Sequence, residues 1–352
     1  MEMQILVLFG VFLITVFIGV PIGYSIALAT LVVLAGFTNT PLAMITQNCV
    51  SGVNSFSLMA IPFFILAGNL MSTGGVAKRI VNFADTCIGW ITGGLSLVTT
   101  AACMFFAAIS GSAMATCSAV GAIMIPEMEK KGYPRPFSAA LAASAGSIGV
   151  IIPPSVPFVI YGVVTGTSIG DMFIAGFLPG IMMGIAIMIA CVVMSKKYGY
   201  QGASSKPTGR DVWISFKDAF WALLAPVIIL GGIYAGIFTP TEAAVVAVIY
   251  SIFASVVIYR EMTLKQLYAA FVDSVRLNGN IVFMVGTATA FASYLSLKQI
   301  PVLIAAFLTS LTSNPIILML IINVFLLFVG CLMDNIPATI ILSPILLPVA
   351  LE

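Results

Sequence analysis

The chain reads as an all-α, polytopic membrane protein, and three observations predict it. Of its 352 residues, 61% are hydrophobic and only 7% are charged, against about 25% charged in an ordinary soluble domain, and the mean hydropathy is +1.17. Apolar stretches recur at 3–20, 22–36, 56–71, 93–109, 112–126, 136–151, 155–166, 178–195, 222–237, 241–259, 277–296, 299–311, 315–332 and 336–350, some approaching the roughly 20 residues that cross a bilayer and others too short to do so. Two adjacent prolines, Pro153 and Pro154, sit inside one of these runs. They donate no backbone N–H and push the preceding residues out of helical geometry. Lipid does not tolerate the bare carbonyls that result, so this break is expected inside protein or along a polar cavity.

The elements follow in order. Met1-Glu2-Met3 enters the first apolar run with neither a basic n-region nor a clear cleavage site, so that run is read as a membrane helix rather than a signal peptide. Residues 76–88 and 261–275 pattern as amphipathic helices at the membrane surface, with Lys78, Arg79, Lys265 and Arg276 near headgroups; polar loops are the alternative for both. Runs 93–109 and 112–126 are parted only around Ser110-Gly111 and read as two half-length helices of a re-entrant hairpin. The runs on either side of Pro153-Pro154 read as one broken helix. Residues 198–217 are the one polar, Gly/Ser/Pro-containing connector, and 315–332 with 336–350 form a second hairpin with its tip at Met333-Asp334-Asn335.

Lys and Arg gather at Lys78-Arg79, Lys130 to Arg135, Lys196 to Lys217 and Arg260 to Lys265, and are nearly absent from Phe37 to Pro41, Ser168 to Asp171, Phe238 to Glu242 and Thr312 to Pro315. The positive-inside rule makes the first set cytoplasmic, so the two hairpins open to opposite sides. Spacing supports an inverted repeat: Pro21 precedes Gly111 by about 90 residues, and Pro240 precedes Asp334 by about as many. Such repeats are a common plan of secondary transporters. The first unit continues into a broken helix whereas the second stops just after its hairpin, so the chain is expected to be incomplete at its C-terminus.

Composition excludes several functions. There is no histidine, and Cys49, Cys87, Cys103, Cys117, Cys191 and Cys331 form no C-x-x-C pair. With no paired carboxylates and no nucleophile–base spacing, an enzyme is not expected, nor is an organic cofactor. The net charge of +2 comes from loop residues and supplies no basic stripe for nucleic acid. A passive channel is the remaining competing class.

Three segments carry candidate sites. At Ser110-Gly111-Ser112, Gly111 permits a sharp reversal. The half-helix ending at Ser110 offers carbonyl oxygens to a cation, and the one starting at Ser112 offers its positive end to a carboxylate; tight helix packing is the alternative. Around Gly149, Ile152, Pro153 and Pro154, carbonyls that have lost their helical donors suit Na⁺, with Ser155 as a further oxygen; the alternative is a proline kink repaired by hydroxyls and water. At Met333-Asp334-Asn335, the ionisable Asp334 in an apolar region either helps a second cation or caps the helix that follows. Glu127 and Glu242 sit at segment ends as solvated or capping groups. Ser112, Ser155 and Asn335 are the candidate substrate contacts. The scarcity of interior Asp and Glu favours sodium over proton coupling.

Ile109-Ser110-Gly111-Ser112-Ala113, Ile151-Ile152-Pro153-Pro154-Ser155, Val159-Ile160-Tyr161-Gly162, Phe173 to Gly180 and Phe238-Thr239-Pro240-Thr241-Glu242-Ala243 together resemble the large membrane subunit of tripartite ATP-independent periplasmic (TRAP) transporters, with the sialic-acid branch most similar. The resemblance spans essentially the whole chain. It implies an elevator-type, Na⁺-coupled symporter of the bacterial inner membrane. Scaffold would occupy 1–90 and 171–312, and the moving transport domain 91–170 and 313–352. An extracytoplasmic substrate-binding protein would deliver an organic acid, sialic acid or a C4-dicarboxylate. A separate small four-helix membrane subunit would brace the scaffold, since no such segment precedes Met1. The family's sodium sites map onto Ser110 to Ser112, Gly149 to Pro154 and Met333 to Asn335; its second Thr-Pro-Pro segment has no counterpart in this sequence. A related dicarboxylate or citrate carrier that needs no binding protein is the alternative.

Overall fold

A computed structural model describes residues 2–38, 40–202, 206–312 and 314–351. Ala203 to Ser205 of the connector, with Asn39 and Ser313 of two predicted loops, lie outside the described residues. The described residues are helices and turns without a β-strand. Five helices among them, Phe56–Thr73, Ile169–Tyr198, Gly209–Tyr234, Pro240–Ile258 and Leu264–Leu297, are long and apolar enough to cross a membrane. The chain is an all-α polytopic membrane protein.

Helices α1 (Glu2–Phe17) and α2 (Ile22–Phe37) flank a turn at Gly19. α3 (Ala43–Val53) is followed by a 3₁₀ turn over Phe56–Met59 that runs into α4 (Ala60–Thr73). Gly75 in the left-handed region admits α5 (Val76–Ile88). Val76, Ala77, Ile80, Val81 and Ala84 of α5 are buried while Lys78 and Asn82 are exposed, the amphipathic helix that its pattern predicts. α6 (Gly94–Ser110) and α7 (Ala113–Lys130) form the first hairpin, and α8 (Arg135–Gly146), a 3₁₀ turn over Ser147–Val150 and α9 (Val156–Thr165) form the broken helix. α10 (Ile169–Tyr198) starts on a Ser168 cap. Capping boxes start α11 (Gly209–Tyr234) at Thr208 and Asp211, and α12 (Pro240–Ile252) at Thr239 and Glu242. A π-helical turn over Phe253–Ile258 precedes α13 (Leu264–Leu297), and α14 (Ile300–Leu311), α15 (Pro315–Leu332) and α16 (Asn335–Leu351) complete the chain.

Several local expectations need correction. Residues 261–275 do not form a separate helix: α13 runs unbroken from Leu264 to Leu297. The polar residues Asp273, Arg276 and Asn278, and Gly279 next to Asn278, lie within this helix without interrupting it. The connector is shorter than its composition suggests, because Thr208 starts α11 within it. α10 begins at Ile169, inside a segment that reads as a loop, and α3 has no counterpart among the predicted elements. The hairpin arms are also longer than half a bilayer: 17 residues in α6 and 18 in α7, or about 25 Å each.

Close packing divides the chain into two compact units, one of residues 1–58, 160–167 and 276–352, the other of 59–159 and 168–275. In the first unit α1 packs on α2, and α16 on α14 and α15. Tyr24 lies against Phe283 with ring centroids 4.7 Å apart, and Tyr294 donates to Gln4 at 3.3 Å. In the second unit α6, α7 and α8 pack on one another around Val98, Ala102, Phe106, Val120 and Ala145. α5 is clamped to α11: Arg79 reaches Asp218 at 3.3 Å and Glu261 at 2.9 Å, and lies 3.8 Å above the Tyr259 ring. One side of α10 exposes Ile174, Leu178, Met182, Ile185, Ile189 and Val193, a stripe suited to lipid.

Candidate functional site

α6 ends at Gly111, whose φ of +61° would cost a residue with a Cβ about 1–2 kcal/mol. Ser112 returns to extended backbone and caps α7: its Oγ accepts the Ala115 N–H at 3.4 Å, and its carbonyl accepts the Thr116 N–H at 3.0 Å. The Ser110 and Thr116 hydroxyls are hydrogen-bonded at 2.8 Å and fully buried. Thr116 falls at the end of the predicted tip segment, 109–116, but the sequence reading gives it no role in the site. It stands four positions after the cap, so the helical repeat sets it over Ser112, and that spacing is the signal that could have found it.

The break is built from backbone. Ile151 and Ile152 both donate to the Ile148 carbonyl, at 2.9 and 3.0 Å, and the Pro153–Pro154 peptide bond is cis. The Ile152 and Pro153 carbonyls accept no backbone hydrogen bond among the described residues. Ser155 is buried; its hydroxyl donates to the Val150 carbonyl at 2.6 Å and accepts the Phe158 N–H at 3.4 Å. Both bonding directions of this predicted substrate contact are thus occupied within the chain, where it starts α9.

The hairpin tip and the break meet. The Val156 N–H donates to the Gly111 carbonyl at 3.1 Å. A Cβ on Gly111 would fall 2.7 Å from the Pro154 oxygen, and one on Gly149 would fall 2.5 Å from Thr116 Oγ1 and 2.7 Å from the Ser112 oxygen. These glycines are therefore needed for approach as well as for conformation. From behind, Gly176 and Gly180 of α10 come equally close to the Ile151 oxygen and the Ile152 side chain, a small-residue contact typical of membrane helices. Ser110, Gly111 and Ser112 are thus brought together with Gly149, Ile152, Pro153 and Pro154.

Four helix ends converge here. The carbonyl ends of α6 and of the 3₁₀ turn after α8 carry partial negative charge, and the N–H ends of α7 and α9 partial positive charge. Neither 94–126 nor 136–170 contains Asp, Glu, Lys or Arg. A small cation held here would be held by neutral oxygens, the donor set that unwound membrane helices use for Na⁺. No three His, Cys, Asp or Glu side chains gather as metal ligands among the described residues.

The third candidate belongs to the other compact unit and has its own local order. Asp334 is exposed, and its carboxylate accepts the Asn335 N–H at 2.8 Å while its carbonyl accepts the Ala338 N–H at 3.2 Å. Asp334 therefore caps α16, with Met333 extended before it and Asn335 in the first turn. Of the other acids, Glu242 caps α12 with Thr239, and Glu127 pairs with Lys130 at 2.7 Å.

Comparison with known proteins gives a consistent picture. The family described as "Tripartite ATP-independent periplasmic transporter, DctM component" matches residues 9–352. The isethionate TRAP transporter permease protein DctMQ of Oleidesulfovibrio alaskensis is 41% identical over 346 residues, covering 98% of this chain and 54% of that protein. The chain thus spans about half of that relative's length. The C4-dicarboxylate TRAP transporter large permease protein DctM of Pseudomonas aeruginosa is 42% identical, covering 84% of this chain and 69% of its own. The sialic acid TRAP transporter large permease protein SiaM of Vibrio cholerae is 39% identical, covering 95% and 78%.

Proposed function

Because this chain belongs to the DctM-component family of tripartite ATP-independent periplasmic transporters, a family of transporters rather than enzymes, we propose that it moves an organic acid across the bacterial inner membrane by Na⁺-coupled symport. The observation that carries this reading is the meeting of the Ser110–Ser112 tip with the Gly149–Ser155 break. Carbonyls at the Ser110 end and at Ile152 and Pro153 hold the cation. Thr116 and Ser110 fix the tip that presents these oxygens. The N–H ends at Ser112 and Ser155 favour a nearby anionic group of the substrate. With the cation bound, the tip and the break gain a shared ligand and move as one body, which is what an elevator step requires. Asp334 and Asn335 shape the second hairpin tip, which serves as the counterpart site.

The relatives are named for isethionate, a C4-dicarboxylate and sialic acid, so the substrate class is a small organic anion, with sialic acid and C4-dicarboxylates the first to test. An extracytoplasmic binding protein delivers it, and a small four-helix membrane subunit completes the transporter. The test is uptake into proteoliposomes holding the full transporter, with and without the binding protein. Accumulation is expected to need both an inward Na⁺ gradient and that protein. Undiminished accumulation after Na⁺ is replaced by K⁺ would overturn the coupling, and uptake independent of the binding protein would overturn the delivery step.

A further inference from the structure

A cleft of about 510 Å³ opens between α5 and the base of the first hairpin. Its polar rim is Lys78, Asn82 and Asp85 from α5, with Glu127 and Lys131 from the end of α7 and the residue after it. We propose that this cleft binds the headgroup of a zwitterionic phospholipid of the phosphoethanolamine type.

The charges come in two kinds and are available. Neither Lys78 nor Lys131 makes an ion pair among the described residues, whereas Arg79 and Lys130 beside them do. Two ammonium groups on one rim, neither held in an ion pair, suit a phosphate, which needs cationic donors. Asp85 supplies the opposite sign. It keeps contact with solvent at the cleft, yet neighbouring protein strips part of its hydration and raises its pKa above the ordinary carboxylate range, with Lys131 pulling it down and Glu127 pushing it up. On the same rim as the two lysines, the Asp85 carboxylate is placed to accept from a primary ammonium brought from outside.

Lipid is favoured over a soluble zwitterion by the rest of the lining. Leu95, Val98, Ile123 and Met124 make the walls apolar, which suits a glycerol ester and the start of an acyl chain. The cleft also borders the polar face of an amphipathic helix, the element that lies at headgroup level. Phosphatidylcholine has no N–H to donate to Asp85, and phosphatidylglycerol has no cation for it, so the site should discriminate among headgroups.

The test is native mass spectrometry of the purified full transporter after exchange into mixed lipids, with a photoactivatable phosphatidylethanolamine to map contacts. Retention of phosphatidylethanolamine over phosphatidylcholine and phosphatidylglycerol is expected, with cross-links in 78–85 and 122–131. Lys78→Gln/Lys131→Gln should weaken retention roughly tenfold, the loss of one charge-assisted contact or more. Asp85→Asn should instead remove the preference over phosphatidylcholine. All three side chains are exposed, and an unchanged thermal transition would show that the variants fold. Equal retention of the three lipids, unchanged retention in both variants, or displacement of the cross-link by millimolar O-phosphoethanolamine without any retained lipid would each overturn the proposal.

Discussion

The two helical hairpins solve the same problem with different chemistry. In the first, the chain reverses through Gly111 in the left-handed region and starts α7 on a serine hydroxyl. In the second, Met333 stays extended and α16 starts on the Asp334 carboxylate. The first tip is buried against another stretch of backbone, where a Cβ at Gly149 or a charge at Ser112 would have no room or no counter-ion. The second tip leaves Asp334 exposed, and an exposed carboxylate costs little. Where backbone must approach backbone inside an apolar protein, glycine and neutral hydroxyls are the residues that physics leaves; where the tip is open, a charge serves the cap equally well.

The largest effect that can break this comparison is steric. Gly149→Val places Cβ within 2.7 Å of the Ser112 oxygen and closer still to Thr116 Oγ1, so the tip and the break must separate. Na⁺-driven uptake in proteoliposomes should fall about a hundredfold, the scale that a displacement near 1 Å produces at a site that depends on geometry. Gly330 in α15 has nothing within 4 Å of its would-be Cβ, and Gly330→Ala should transport like the parent. Equal loss in both variants would mean that the close approach at Gly149 has no special role.

A smaller effect tests the hydroxyl chemistry. Thr116→Val keeps the volume and removes the 2.8 Å bond to Ser110, worth about 1 kcal/mol. If these hydroxyls fix the oxygens that hold the cation, the Na⁺ concentration for half-maximal uptake should rise about fivefold, and Thr116→Ser should restore it. An unchanged Na⁺ dependence in Thr116→Val would confine Thr116 to packing.

Much of the first site is legible in the sequence because its chemistry is that of the backbone. Gly111 and Pro153-Pro154 state constraints on φ and on N–H donors that hold in any environment, so residue identity alone places the reversal and the break. What escapes the sequence depends on tertiary neighbours. Thr116 reads as one more small residue in an Ala-rich helix, and only its bond to Ser110 sets it apart. Ser155 is visible as an oxygen near the break, but nothing local tells that Val150 and Phe158 use both its bonding directions. α3 is hidden because Gln47, Asn48, Ser51 and Gly52 dilute its apolar pattern, whereas Gly52 is in fact pressed against Thr289. Polarity suggests an end to the 261–275 segment, yet α13 continues through it and through Gly279 beyond it.

The smallest effects belong to Asp334, where cap and charge can be separated. Asp334→Ala removes the side-chain acceptor for the Asn335 N–H and should lower thermal stability by about 1 kcal/mol, the usual cost of losing a cap. Asp334→Asn keeps an acceptor of the same shape and caps about as well, so its thermal transition, read by circular dichroism in detergent, should match the parent's. Its transport then isolates the charge. If Asp334 only caps, Asp334→Asn transports with parental Na⁺ dependence, and both hairpins work through neutral or backbone groups alone. If the carboxylate also neutralises a cation, the same variant keeps its fold and yet needs more Na⁺ for half-maximal uptake. The contrast between a hydroxyl tip and a carboxylate tip would then lie in ion binding as well as in helix capping.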